Sequence, residues 1–126
     1  MDDLLSIIIL SYNNGEMLIE TIDSVLSQDY NAVEIIICDD SSSNFNKYSI
    51  IQYIEEHKKN NIKKYLVFEN KQNQGTVKNL NHGITMASGA FIKAIAGDDG
   101  IASVDVFSRQ VQYLNTHPEI QFVVGN

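Results

Sequence analysis

Cysteine occurs once in the 126 residues, at Cys38, so no internal disulfide can form and nothing points to an oxidising compartment. Basic residues are scarce: 9 Lys and Arg stand against 16 Asp and Glu, a formal net charge of −7. A nucleic-acid partner is not expected, because a polyanion needs a basic footprint. Long apolar runs are missing too. The opening Met1-Asp2-Asp3 is acidic and the apolar stretch behind it is short, which fits neither a secretory leader nor a membrane span. The expected setting is the cytoplasm; action at the inner face of the membrane would need an anchor outside this chain. Glycine signatures for phosphate are lacking as well. No G-x-G-x-x-G follows the first apolar run and no G-x-x-x-x-G-K-[ST] occurs, so a dinucleotide fingerprint and a phosphate loop are not expected. An anionic ligand would then need a local cation, and a divalent metal held by carboxylates supplies one.

What is present is an alternation of strand and helix patterns across one globular domain, residues 1–126, with 44% hydrophobic and 20% charged residues. Ser6 to Leu10 is an unbroken apolar run, as for a strand covered on both faces. Turn chemistry follows in Ser11-Tyr12-Asn13-Asn14-Gly15, then a helix from Glu16 to Ser27 with Leu18, Ile22, Val25 and Leu26 on one stripe. Val33 to Cys38 reads as the second strand. The polar loop Ser41-Ser42-Ser43-Asn44 can cap a second helix, whose apolar face is Ile50, Ile51 and Ile54 and whose last turn holds His57-Lys58-Lys59. Tyr65 to Phe68 is the third strand. Val77, Leu80, Ile84 and Ala87 mark a third helix, stopped by Ser88-Gly89. Phe91 to Ile95 is the fourth strand, Val104 to Leu114 a fourth helix ending before Pro118, and Gln121 to Val124 the start of a fifth strand. The expected fold is α/β: a doubly wound, mostly parallel, Rossmann-like sheet with helices on both faces. Ending on a strand, the chain reads as the front part of something longer.

Two aspartate pairs, Asp39-Asp40 and Asp98-Asp99, each follow a strand run. Both should leave the carboxyl edge of the sheet, where open α/β sheets bind ligands. Adjacent carboxylates repel and are held charged by donors or a cation, so the pairs point to a metal or polar ligand. Asp39-Asp40 as a plain helix cap, and Asp98-Asp99-Gly100 as a plain turn, are the competing structural readings. His57, His82 and His117 show no metal-ligand spacing.

Four blocks in register carry a resemblance. They are Ser6 to Asn13; Ser24 to Gln28 with Glu34 to Ser42; Asn73-Gln74-Gly75, Asn81-His82-Gly83 and Ala87-Ser88-Gly89; and Phe91 to Asp99. Together they resemble the family 2 glycosyltransferases of the GT-A fold over nearly the whole chain. The resemblance implies a nucleotide-diphosphate sugar as donor, UDP-linked by family habit, and a carbohydrate or glycolipid acceptor. It implies that Asp39 accepts a base N–H, that Asp40 supports the ribose or the loop, and that Ser11, Tyr12 and Asn13 line the nucleoside pocket. Asp98 and Asp99 would meet the ribose-diphosphate and a Mn2+ or Mg2+ ion, and transfer would invert the anomeric centre. The general base would lie beyond Asn126.

The chain departs from the family pattern at two places. Ala96 stands where an L-D-x-D-D motif has its first aspartate, and Leu80 where a basic residue is common, so Lys71 or Lys78 is a candidate diphosphate contact instead. A haloacid dehalogenase-like phosphotransferase needs an aspartate nucleophile after the first strand, where Ser11-Tyr12-Asn13 stands. A non-catalytic or degenerate nucleotide-sugar-binding module is the alternative that Ala96 keeps open.

Overall fold

The computed structural model describes residues 2–118. Four strands and four helices alternate: β1 (Leu5–Ser11), α1 (Glu16–Leu26), β2 (Val33–Asp39), α2 (Lys47–His57), β3 (Ile62–Glu69), α3 (Thr76–Met86), β4 (Phe91–Ala96) and α4 (Val106–Thr116). The sheet order is β3-β2-β1-β4, and every pairing is parallel. The chain therefore steps outward from β1 to β2 to β3, then crosses back over β1 to lay down β4. Crossovers of one hand put helices on opposite faces when the direction of travel reverses.

The side chains follow that rule. Ile7, Ile9, Ile35 and Ile37 face Leu18, Ile22 and Val25 of α1, Ile50 and Ile54 of α2, and Phe107 and Val111 of α4. Ile8, Ile36 and Cys38 face the other way, toward Leu80 and Ala87 near α3. The isoleucines of β1 and β2 are wholly buried because both faces are covered, and each contributes about 1.5–3 kcal/mol on transfer from water. Burial pushes the Cys38 thiol up to about 11, so at neutral pH it is an inert apolar group.

Several local expectations shift. The cap of α2 is Asn46, whose side chain accepts from Ser49 N at 3.1 Å, rather than the Ser41–Asn44 run. Strand β3 begins at Ile62, because Ile62 pairs with Val33 and only Lys63 and Lys64 interrupt the apolar pattern. Helix α3 turns Val77 and Ile84 outward and buries Asn79 and Gly83. Val104 lies ahead of α4 and is more than half exposed. The expected strand Gln121 to Val124 lies outside the described residues.

Candidate functional site

Strand β1 ends between the exits of β2 and β4. Ser11 is level with Asp39, and Leu10 with Ala96. Asp40 N donates to Ser11 O at 2.9 Å, and Gly97 N donates to Leu10 O at 2.7 Å. The two aspartate pairs thus leave the same sheet edge on either side of β1, two strand spacings or roughly 10 Å apart. The reversal of strand order falls between β1 and β4, the place where α/β sheets open a binding crevice.

The first pair is consumed by the protein. Asp39 is wholly buried. Its Oδ1 accepts from Ser11 Oγ at 2.8 Å and Ser42 Oγ at 2.6 Å, and its Oδ2 accepts from Ser42 N at 2.9 Å. Ser42 in turn receives Asn13 N at 2.7 Å, while Asn13 Oδ1 receives Ser43 N at 3.1 Å. The loops after β1 and β2 are stitched together at this point. Asn13 (φ 51) and Ser41 (φ 69) adopt left-handed conformations that cost a side-chain-bearing residue energy. Tyr12 stands on the same loop, half exposed at the sheet edge.

Asp40 faces the α3 side. Its Oδ1 accepts from Gln74 N at 2.7 Å and Asn70 Nδ2 at 3.0 Å, and its Oδ2 accepts from Gly75 N at 2.9 Å. Burial alone would raise this carboxyl, but the Gln74 N–H, the Asn70 amide and the Gly75 N–H outweigh it and hold the pKa below the usual aspartate value. Asp40 therefore anchors the loop that leads into α3. Asn79 completes the anchor, donating to Cys38 O at 2.9 Å and accepting from Asn70 Nδ2 at 3.0 Å. Asn79 was not among the sequence candidates; its signal is a polar residue at a position where α3 faces the sheet.

The second pair is open. Asp98 and Asp99 are exposed on the turn that leaves β4, closed by Asp99 N donating to Ala96 O at 3.0 Å. Their carboxylates meet no protein donor or cation among the described residues. Gly97 has no room for a side chain, since a Cβ there would lie 2.3 Å from Asn14 Oδ1. The first loop therefore presses directly against the root of the aspartate turn. Lys71 and Lys78 are not brought to this place. They line a separate cavity of about 440 Å3 at the β3 exit with Asn70, Gln72, Gln74 and His82.

Among the described residues, no three His, Cys, Asp or Glu side chains form a ready cage for a metal. Two exposed carboxylates nevertheless fit a hard divalent cation of the kind that binds through one or two carboxylates, substrate phosphates and water. Ala96 supplies no ligand. No helix among the described residues is long and apolar enough to cross a membrane.

Comparison with known proteins identifies the family and the fold. The family model described as glycosyl transferase family 2 matches residues 6–126. An Escherichia coli UDP-Glc:alpha-D-GlcNAc-diphosphoundecaprenol beta-1,3-glucosyltransferase, WfaP, is 32% identical over 90% of this chain and 42% of its own length. A Campylobacter jejuni GalNAc(5)-diNAcBac-PP-undecaprenol beta-1,3-glucosyltransferase is 35% identical over 79% of this chain and 31% of its own. The chain thus spans less than half the length of these relatives. The mannosyltransferase of Pyrobaculum calidifontis, solved with GDP-Man and Mn2+, superposes with a TM-score of 0.80 at 20% identity, covering 90% of this chain and 33% of that one. Staphylococcus aureus TarS 1–349 with UDP-GlcNAc superposes at 0.77 and 22% identity, over 91% and 32%. At such identities the likeness establishes the GT-A fold. The chain belongs to glycosyl transferase family 2.

Proposed function

We propose that this chain is the donor-binding part of an inverting glycosyltransferase that takes a sugar from a nucleotide diphosphate, UDP-linked, and passes it to an acceptor hydroxyl on a carbohydrate or glycolipid at the cytoplasmic face of a membrane. The observation that supports it best is the open Asp98-Asp99 pair set beside the β1 exit, next to the loop of Tyr12 and Asn13. The name of WfaP, which specifies UDP-Glc, supports the choice of donor, and the diphosphoundecaprenol and PP-undecaprenol in the names of the two relatives support a lipid-linked acceptor.

In this reading the nucleoside lies over the β1 and β2 exits. The Tyr12 ring offers an apolar face for the base. Asp39 shapes the pocket through Ser11, Ser42 and Asn13. Of its about four acceptor sites, one on Oδ2 receives no protein donor among the described residues, and in this reading it is the one left for a base N–H. Asp40 holds the loop beside the pocket rather than the ribose. Lys71 and Lys78, on the β3 side, lend positive potential to the nucleoside end of the crevice, three strands from β4. Asp98 and Asp99 hold Mn2+ or Mg2+ with the diphosphate. Such an ion, when bound, offsets the negative charge that grows on the diphosphate as the sugar leaves. No residue of this chain is assigned as the general base.

Calorimetry with UDP in the presence of Mn2+ and then of EDTA tests the reading. Binding that requires the metal and is weakened at least tenfold in Asp98→Asn is the expected result. Equal binding in EDTA would favour the module that recognises a nucleotide sugar without catalysing transfer, and no binding in either condition would overturn both.

A further inference from the structure

Helix α1 and the residue after its C-cap carry a ladder of polar side chains at Thr21, Ser24 and Gln28. Thr21 and Ser24, three residues apart, share one face of the helix, and Gln28 follows directly after its C-cap Ser27. Every one of them reaches the segment that follows β4. Thr21 Oγ1 donates to Gly97 O at 2.9 Å. Ser24 Oγ donates to Thr21 O at 2.7 Å, and its free lone pair accepts Ile101 N at 2.9 Å. Gln28 Nε2 donates to Ser103 O at 2.6 Å, and Gln28 Oε1 accepts from Phe107 N at 3.0 Å, doing for α4 what its own cap residue Asp105 does not. Asp29 N adds a bond to Val104 O at 2.7 Å.

The consequence is geometric. Gly97 and Ile101 flank the aspartate turn, and both are tied to one rigid helix through Thr21 and Ser24. Only Asp98, Asp99 and Gly100 lie between the two ties, and Asp99 N closes back on Ala96 O. The backbone of the two open carboxylates is thus fixed from both ends, although their side chains are free. Thr21 and Gln28 are almost wholly buried, so their bonds are shielded from water, where a hydrogen bond is stronger and a broken one costs more. A site with only two carboxylates, and Ala96 where a third would stand, depends more heavily on where those two are held.

We infer that Thr21 and Ser24 are positioning residues for Asp98 and Asp99, setting the carboxylates for a divalent cation shared with a nucleoside diphosphate, and that Gln28 secures the far end of the same segment. This rests on the donor-binding function proposed above. Residues that orient metal ligands from behind cost about 10–100-fold in metal affinity when removed.

The test is calorimetric titration of UDP at a series of Mn2+ concentrations, with thermal unfolding of each variant alongside. Ser24→Ala and Thr21→Val are expected to raise the Mn2+ concentration needed for UDP binding about tenfold or more. Thr21→Ser, which keeps the hydroxyl, is expected to restore the wild-type requirement. Both Ser24→Ala and Thr21→Val should remain folded at the assay temperature. Folded variants with an unchanged Mn2+ requirement would overturn the inference while leaving the donor-binding function standing. Loss of folding in both variants would overturn it too, by assigning the ladder to stability alone. A wild-type chain that binds no UDP with Mn2+ would overturn the function, and the positioning role with it.

Discussion

Gly83 of α3 lies against Ile8 of β1 so closely that a Cβ on the glycine would sit 2.8 Å from Ile8 Cγ2 and 3.1 Å from Cys38 Sγ. This contact sets how near α3 lies to the sheet, and hence where the Asn70–Gly75 loop meets Asp40. Gly83→Ala should destabilise the protein by about 1–3 kcal/mol through overpacking. Combined with Ile8→Ala, which removes the obstructing methyl, the double variant should lose less stability than the two single losses added together. Urea unfolding of the four proteins measures this, and strict additivity would show that α3 simply shifts aside.

Glu34 is a charge buried at the opposite, amino-terminal end of the sheet. It accepts from Ser6 Oγ at 2.6 Å, Ser88 N at 2.9 Å and Ser88 Oγ at 3.0 Å, and pairs with Lys64 Nζ at 3.2 Å. Burial alone would raise its pKa, but the Ser6 hydroxyl, the Ser88 N–H and the Lys64 ammonium outweigh that and lower it. A carboxyl whose folded pKa lies below its unfolded value stabilises the fold above the unfolded value, near 4.5, and loses that contribution as pH falls through the folded one. Glu34→Leu should therefore cost about 2–4 kcal/mol at pH 7, by orphaning the Ser6 and Ser88 donors. The gap between wild type and variant should narrow as pH drops below about 4.5. A pH series of denaturant curves checks the sign, and a gap that widens in acid would contradict it.

The strands were legible in the sequence because a parallel sheet covered on both faces requires apolar residues on both, as in Ile7-Ile8-Ile9 and Ile35-Ile36-Ile37. The start of β3 was not, since Lys63 and Lys64 sit on an edge strand that tolerates charge. Nor was the phase of α3, where the residue nearest the sheet is a glycine and the polar Asn79 replaces the expected apolar contact. Within the site, the position of the Asp98-Asp99 pair was legible because it follows directly from a strand exit. The occupation of Asp39 and Asp40 was not, because their donors include Ser11, Asn70, Gln74 and Gly75, 28 to 35 residues away in the chain. Thr21, Ser24 and Gln28 carried no visible role for the same reason: their partners lie more than 70 residues later.

The left-handed backbone at Ser41 and Asn13 separates strain from bonding. Ser41, at φ 69, has no side-chain bond among the described residues, so Ser41→Gly should remove strain at little loss and stabilise the fold by about 0.5–1 kcal/mol. Asn13, at φ 51, accepts from Ser43 N at 3.1 Å. Asn13→Gly keeps the backbone and loses the bond, and should be close to neutral. Asn13→Ala loses the bond and keeps the strain, and should cost about 1–2 kcal/mol. Thermal unfolding ranks the three, with Ser41→Gly highest and Asn13→Ala lowest; any other order at the extremes would mean that the loop relaxes out of this conformation.

The two aspartate pairs should separate cleanly when substituted. Asp40 accepts two backbone N–H groups just ahead of the first turn of α3, where negative charge also suits the helix dipole. In Asp40→Asn one amide face must turn its own N–H toward a donor, so about 1–2 kcal/mol of stability should be lost. Because the folded carboxyl titrates below its ordinary value, the same anchor should weaken in wild type as pH falls through that lowered value. Asp98→Asn and Asp99→Asn remove exposed charges without protein partners among the described residues, and should leave stability unchanged or slightly raised as the repulsion between neighbours is relieved. Their effect should appear only in metal-dependent UDP binding. Denaturant curves and calorimetry on the three variants give a crossed pattern: stability lost at Asp40 with metal-dependent UDP binding kept, and metal-dependent UDP binding weakened at Asp98 and Asp99 with stability kept. A stability loss at Asp98 as large as that at Asp40 would mean the second turn is also a structural anchor, and the division of labour between the pairs would fail.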